Sequence, residues 1–210
     1  MDWQLDAVEV RVLGALMEKA IATPDYYPLS LNALVNACNQ KSNRDPVVVY
    51  DDSTVESALE TLRAKQLALR ITGGESRVPK HAQRFTEQFN LGRREAAVLC
   101  VLLLRGPQTA GELRARTERL YPFSDLEAVE GTLNRLTEMG FVKKLARQTG
   151  YKESRYIHLL AGEAEDTTAV ASPTARELSV ADRIAALEEE IVKLRQELED
   201  LRRQIERLHT

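Results

Sequence analysis

The chain has 210 residues, of which 43% are hydrophobic and 29% charged, so it is long enough for one or two domains with buried cores. Its formal net charge of −3 excludes a chain that is basic throughout, and only local basic patches are left as candidates for nucleic-acid binding. The opening residues lack a signal-peptide pattern, and the longest apolar run, 96–104, is too short to span a bilayer. Because Cys38 and Cys100 have no paired spacing, we expect a cytoplasmic protein without structural disulfides or bound zinc.

Two stretches of the chain repeat one order of elements, which predicts a duplicated module. The segment VESALETL at 55–62 matches VEGTLNRL at 129–136, and the tripeptide Glu-Ser-Arg recurs at 75–77 and 153–155. A polar, acidic stretch and then a strongly periodic helix follow the modules. We therefore predict a first domain over 1–82, a second over 83–160, a flexible linker over 161–179 and a coiled-coil helix over 180–210.

Each module is predicted to begin with three helices. The first helix has apolar residues at helical spacing, the second opens at Ser30 or Thr109, and the third opens at Ser53 or Ser124. Hydroxyl side chains favour these positions because they accept hydrogen bonds from the unpaired N–H groups of the first helical turn.

Two strands around a glycine turn complete each predicted module. They are LALRIT (67–72) and SRVPK (76–80) in the first module, and FVKKLAR (141–147) and SRYIHLL (154–160) in the second. Three helices followed by a hairpin is the order of a winged helix-turn-helix, in which the hairpin forms the wing. We therefore predict a mainly α chain with small β-hairpins, built from tandem winged helix-turn-helix modules and a C-terminal coiled-coil helix.

The C-terminal helix carries an apolar seam in which spacings of four and three residues alternate. Isoleucine predominates at one seam position and leucine at the other, which favours a parallel two-stranded coiled coil. The flanking charges attract in a parallel pair, for example Glu190 with Arg195 of a second copy. The alternative is that this helix folds back onto its own modules. The predicted dimer seam comprises Ile184, Leu187, Ile191, Leu194, Leu198, Leu201, Ile205 and Leu208.

The stretch EKAIATPDYYPLSLNALVNACNQKSNRDPVVVYDDSTVE at 18–56 resembles the YceH-like family of bacterial proteins. Its motif ACNQKSNRDPV at 37–47 is long and specific, and the similarity continues through LLLRGPQTAGELRAR and ESRYIHLL. The resemblance covers essentially residues 1–160. It implies tandem winged helices of bacterial origin and a biochemical role that is unassigned, so function has to be inferred from the residues.

Both predicted wings are basic, although the chain as a whole is slightly acidic. Residues 63–84 include six basic side chains against one glutamate, and residues 143–155 include five against one. Such patches neutralise the phosphates of double-stranded DNA. The alternative for Arg77 and Arg155 is an ion pair with a carboxylate such as Glu75 or Glu153. The predicted wing contacts are Arg70, Arg77, Lys80, Lys143, Arg147, Lys152 and Arg155.

The third helix of each module argues against insertion into a DNA groove. Its opening turns are acidic, with Asp52 and Glu56 in one module and Asp125 and Glu127 in the other. The phosphates on both sides of a groove would repel these side chains. Two interpretations stay open: the wings grip the DNA backbone without helix insertion, or the modules bind a protein assembly. In either case we expect a parallel homodimer that does not bind membranes.

The loop NQKSNRDP at 39–46, between the second and third helices of the first module, is rich in hydrogen-bond donors. Polar loops on a rigid scaffold are frequent binding sites. The alternative is a capped turn, in which Asn and Asp side chains bond to the backbone before Pro46. The candidate nucleic-acid contacts in this loop are Asn39, Gln40, Lys41, Asn43 and Arg44.

The sequence contains no recognisable catalytic motif. It lacks a glycine-rich phosphate loop, a cluster of residues at metal-ligand spacing and a nucleophile elbow. His81 and His158 occur singly, near predicted strands, and neither has a partner that would make it a general base. We therefore expect a non-enzymatic protein that uses no cofactor.

Overall fold

The computed structural model describes residues 4–73, 78–146 and 153–162. The backbone divides into two compact units, 1–166 and 167–210, and every described residue belongs to the first unit. The predicted coiled coil with its dimer seam, and nearly all of the predicted linker, lie outside the described residues. These features therefore stay predictions.

The described part of the chain is mainly helical, as predicted. Two sets of three longer helices follow one another, with a short helix, α4 (Phe85–Gln88), between the sets. The six longer helices are α1 (Ala7–Ala22), α2 (Leu31–Cys38), α3 (Asp52–Ala64), α5 (Arg93–Arg105), α6 (Ala110–Thr117) and α7 (Leu126–Glu138). None of the described helices combines the length and the apolar character needed to cross a membrane.

The predicted capping residues of α2 and α6 are confirmed. The Ser30 hydroxyl accepts a hydrogen bond from the backbone N–H of Ala33 at 3.3 Å, and the Thr109 hydroxyl accepts one from Glu112 at 3.2 Å. The Glu112 carboxylate accepts in return from the Thr109 N–H at 2.9 Å, which completes a capping box.

The predicted caps of α3 and α7, Ser53 and Ser124, are wrong. The caps are Asp51 and Asp125, whose carboxylates accept from the backbone N–H three residues further on, at Thr54 and Ala128, each at 2.8 Å. The two serine hydroxyls instead donate to these carboxylates, at 2.9 and 2.8 Å. A charged carboxylate makes the stronger bond to the helix N-terminus, which explains why aspartate takes the position.

Small antiparallel sheets follow α3 and α7. The first sheet has the strand order β1 (Leu29–Ser30), β3 (Lys80–Gln83), β2 (Ala68–Ile71), and the second pairs β4 (Val142–Lys144) with β5 (Tyr156–His158). The strand predicted over 76–80 is placed too early, because the strand that pairs with β2 runs over Lys80–Gln83 and does not include Val78 and Pro79. Pro79 immediately precedes it and has no N–H to donate to a ladder.

The two sets of helices share one apolar core, and α1 packs directly on α5. Gly14 permits this approach, because an added Cβ would lie 2.9 Å from Leu104 Cδ2 and 3.1 Å from Leu103 Cβ. The buried thiol of Cys100 donates to the Gly14 carbonyl at 3.6 Å. The ring of Phe85 on α4 packs against the ring of Phe141, which follows α7, with centroids 5.3 Å apart.

Candidate nucleic-acid interface

The hairpin of β2 and β3, here the first hairpin, has basic side chains on and beside it. The register places Arg70 opposite His81, so that both share a face of the sheet, and Arg63 approaches from the last turn of α3. Burial lowers the pKa of His81, and the charges of Arg70 and Arg63 lower it further, against an opposing effect of Glu56. Two cations therefore lie close enough to His81 to affect its titration, against one carboxylate, and such cations are candidates for contacts with phosphates.

The neighbouring lysines of the first hairpin differ in their role. Lys80 is half-buried at the start of β3 and lies opposite Ile71. Lys65 points away from the hairpin, because its Nζ lies 2.6 Å from a carboxylate oxygen of the buried Glu9 and 2.8 Å from the Gln4 carbonyl. The charge of Lys65 is thus neutralised, and it does not add to the basic surface.

The hairpin of β4 and β5, here the second hairpin, has its cations engaged by other groups. Arg155 donates to the Pro107 carbonyl at 3.3 Å and lies 3.9 Å from the carboxylate of Glu112. Lys144 lies 5.6 Å from the centre of the Tyr156 ring. Lys143 is half-buried on β4.

Acidic neighbours reduce the positive potential of the second hairpin further. Lys144 lines a cavity of about 240 Å³ together with Glu130 of α7 and Glu153. Two carboxylates against one ammonium leave this surface close to neutral or negative. Of the remaining predicted wing contacts, Arg77, Arg147 and Lys152 lie outside the described residues.

The donor-rich loop 39–46 is held from inside the protein, which favours the structural alternative for several of its residues. Arg44 is 5% exposed, and its Nη2 lies 2.6 Å from Glu18 Oε2 and 2.9 Å from the Ala37 carbonyl. Arg44 therefore has almost no surface to offer a phosphate, which favours a structural role for it over the predicted nucleic-acid contact. Arg11 anchors the same loop by donating to the Pro46 carbonyl at 2.6 Å.

Asn39 and Gln40 are also used internally. The Asn39 amide donates to the Tyr50 carbonyl at 2.7 Å and accepts from the Tyr50 N–H at 2.8 Å, so it fastens the loop across its base. Gln40 Oε1 accepts from Arg44 Nη2 at 3.0 Å and from Lys19 Nζ at 3.4 Å. Both side chains are half-buried, whereas Lys41 is exposed to solvent.

Asn43 connects this loop to the second set of helices. It has a left-handed backbone with φ of 58°, and its Oδ1 accepts from Arg105 Nη1 at 2.9 Å. A cleft of about 420 Å³ opens at this point. We call it the junction cleft, and its basic lining residues are Lys19, Arg105, Arg116 and Arg119.

Sequence reasoning missed the junction cleft because its residues come from α1, α5, the segment 115–120 and a loop that are far apart in the chain. A partial signal was present in AGELRARTERL, which carries three arginines within 114–119. Without the packing of α1 on α5, nothing in the sequence joins these arginines to Lys19 or Asn43.

The acidic side chains of α3 and α7 face solvent. Asp52, Glu56 and Glu60 are exposed on α3, and Glu127 and Glu130 are exposed on α7. Asp51 and Asp125 cap these helices, and hydrogen bonds to Thr54 and Ala128 lower their pKa values. The caps account for one acid at the start of each helix, and Asp52 and Glu127 in the first turns complement the helix dipoles. Across 4–73, 78–146 and 153–162, no three His, Cys, Asp or Glu side chains are placed to share a metal ion.

Comparison with known proteins identifies the family. A bacterial family described as "Protein of unknown function, DUF480" matches residues 5–151. A UPF0502 protein of Solibacter usitatus is 70% identical over 190 residues, covering 90% of this chain and 91% of the relative. A UPF0502 protein of Opitutus terrae is 56% identical over 172 residues, covering 80% and 75% respectively. The chain therefore belongs to the DUF480/UPF0502 family of bacterial proteins of unknown function, which matches the YceH-like resemblance of its sequence.

Proposed function

We propose that this protein is a non-enzymatic, sequence-independent DNA-binding protein that contacts the phosphate backbone chiefly through its first hairpin. The observation that carries this proposal is the position of Arg63 and Arg70 beside His81, together with Lys80 on the opposite face of the same hairpin. The exposed acids of α3 disfavour entry of that helix into a groove, so the contacts fall on phosphates rather than bases.

The order of the elements supports a tandem winged-helix interpretation of the described residues. Three helices and a hairpin occur twice, as α1, α2, α3 with β2 and β3, and as α5, α6, α7 with β4 and β5. In this proposal each hairpin is a wing, and the two modules keep the predicted boundaries of 1–82 and 83–160. The second wing contributes less binding, because Glu112, Glu130 and Glu153 lie near its cations.

The proposal includes a parallel homodimer joined through residues 180–208. Two copies would present two first hairpins, and linked binding sites raise the apparent affinity when both can engage. Light scattering of the full chain and of a chain truncated after residue 179 tests this part. We expect twice the chain mass for the full protein and one chain mass after truncation; a monomeric full chain would remove the dimer from the proposal.

Fluorescence anisotropy of a labelled 20-base-pair duplex, titrated with the full chain across a salt series, tests DNA binding. Three phosphate contacts predict a slope of roughly −3 in log K against log salt concentration. The double variant R70Q/K80Q should lower the affinity and reduce the slope by about 2. The variant K143Q/K144Q removes the same charge from the second hairpin and should have a much smaller effect. Absence of binding at low salt would overturn the proposal.

A second candidate function, docking of a protein partner, is favoured by exposed apolar residues on the first hairpin. Leu69, Ile71 and Val78 are 41%, 43% and 56% exposed, and Leu69 and Ile71 share one face of β2. The variant L69S/I71S separates the two functions. Loss of a captured protein with unchanged DNA affinity would favour docking, and loss of DNA affinity would place these side chains in the DNA interface.

A further inference from the structure

We propose that the junction cleft binds a small organic phosphate. Nothing in this inference depends on DNA binding. The cleft has a volume of about 420 Å³, within the range of roughly 300–1,000 Å³ typical of small-molecule sites. It is lined by both modules: α1 and the loop 39–46 form one side, and α5 and the segment 115–120 form the other.

The cleft has more positive than negative charge. Its lining contains four cationic side chains and one carboxylate, Glu18. That carboxylate is already paired, because Arg44 Nη2 lies 2.6 Å and Lys19 Nζ 3.2 Å from it. Glu18 therefore does not neutralise Arg105, Arg116 and Arg119, which can interact with a bound anion.

The three arginines have few acidic partners of their own. Arg116 lies 3.4 Å from the Glu112 carboxylate, and Arg105 donates to the neutral amide oxygen of Asn43. Arg119 makes no hydrogen bond or ion pair with any residue that the structure describes. Arg105 Nε is buried and likewise has no hydrogen-bond partner among the described residues.

The arginines also affect one another. Burial and the charge of Arg116 lower the pKa of Arg105, with Arg44 acting in the same direction and Asp45 and Glu112 in the opposite one. A cation crowded by other cations gains from a bound anion, because the anion supplies the opposite charge that the protein does not.

The side chains that line the cleft favour an organic phosphate over other anions. Arginine side chains bind phosphate oxygens through paired N–H groups, and a phosphate dianion matches several of them better than a single carboxylate does. Val101, Leu104 and Leu120 line the same side of the cleft as the arginines, so that a carbon skeleton attached to a bound phosphate would lie against apolar side chains. The B-DNA duplex is too wide for this volume, which separates the cleft from the proposed DNA interface.

Thermal unfolding of the full chain, at constant ionic strength set with chloride, tests the inference. The probes are inorganic phosphate, glucose 6-phosphate and adenosine 5′-monophosphate, with glucose, adenosine and malate as controls. We expect at least one organic phosphate to raise Tm by about 4 °C near saturation, more than inorganic phosphate does. We expect no shift with glucose or adenosine. Equal shifts with malate would overturn the choice of phosphate.

The variant R119Q is the main test of location, because Arg119 is exposed and its loss should not disturb folding. It should reduce the affinity for the stabilising phosphate at least tenfold, as measured by calorimetry, and R105Q should do the same. R93Q removes an exposed arginine at the start of α5, outside the cleft, and should leave the affinity unchanged. Equal binding by R119Q, R105Q and the unmodified chain would overturn the site. So would weaker duplex binding by R119Q without any effect on phosphates.

Discussion

Arg44 and Glu18 form an ion pair that is largely withdrawn from water. The Arg44 side chain has no exposed surface, and that of Glu18 is 13% exposed. Burial by itself raises the pKa of Glu18, but the hydrogen bonds and charge of Arg44, aided by Lys19, outweigh burial and lower it. The same guanidinium holds the Ala37 carbonyl at the end of α2, so it joins α1, α2 and the loop that follows.

Replacing Glu18 with glutamine should destabilise the protein by about 3 kcal/mol, because it leaves a buried guanidinium without its counter-charge. Urea unfolding of E18Q, followed by circular dichroism, measures this loss. E60Q removes an exposed carboxylate from α3 and should change stability by less than about 0.5 kcal/mol. A loss as small for E18Q as for E60Q would show that the pair contributes little.

His158 makes stability depend on pH. Burial in β5 lowers the pKa of its imidazole from 6.5 to about 4, and its Nδ1 has no hydrogen-bond partner among the described residues. In this range the unfolded chain binds a proton that the folded chain does not. Above pH 6.5 the titration of His158 should therefore cost no stability. Between pH 6.5 and 4 the free energy of unfolding should fall, by up to about 1.4 kcal/mol per pH unit from this group. Urea unfolding at four pH values should show a shallower loss for H158Q. Parallel pH profiles would contradict the assignment.

At the starts of α3 and α7, two neighbouring residues could cap the helix, and the backbone geometry determines which of them does. Near α7 both Ser124 and Asp125 can act as caps, and near α3 both Asp51 and Ser53 can do so. Sequence preference ranks serine and aspartate almost equally. In the structure the aspartates are the caps, because their carboxylates accept hydrogen bonds from N–H groups of the first helical turn.

D125A should lower Tm by about 2–4 °C, because the N–H of Ala128 loses its acceptor. S124A should change Tm by less than about 1 °C, since its hydroxyl only donates to the capping carboxylate. D125N keeps an acceptor oxygen and should recover most of the loss. Differential scanning calorimetry of the three variants measures these shifts, and a larger effect for S124A than for D125A would restore serine as the cap.

The elements themselves were largely predictable from the sequence. Helical periodicity located the helices, with hydroxyl caps marking the starts of α2 and α6, and alternating strands around glycine located the hairpins. The strand after the first glycine turn was placed too early, because its short pattern gives no sign of where pairing with β2 starts. The candidate site was less predictable. Whether Arg44, Lys65 or Arg155 is free to bind phosphate depends on Glu18, Glu9 and Glu112, which tertiary packing brings close.

At the scale of the whole molecule, the packing of α1 on α5 joins the two sets of helices. Gly14 lies in this contact, and a methyl group there would meet Leu103 and Leu104. The two sets should therefore unfold in one transition, since separating them exposes the core that both share.

G14A should destabilise the protein by about 1–3 kcal/mol through overpacking at this contact. G131A is the matched control, because an added Cβ on α7 would meet nothing within 4 Å. It should stabilise the protein by about 0.5–1 kcal/mol through a better helix propensity. Urea unfolding measures the free energy of unfolding of both variants. A stabilised G14A would show that α1 and α5 can accommodate a methyl group between them.

The hydrogen bond from Cys100 to the Gly14 carbonyl places a thiol at the centre of this contact. Burial raises the pKa of Cys100 and keeps it in the unreactive thiol form, and the side chain has no exposed surface. An alkylating reagent can reach its sulfur only after α1 and α5 have moved apart. The rate at which an alkylating reagent labels Cys100 in the native protein therefore reports how often α1 and α5 separate. A ligand that bridges the two sets of helices should lower that labelling rate.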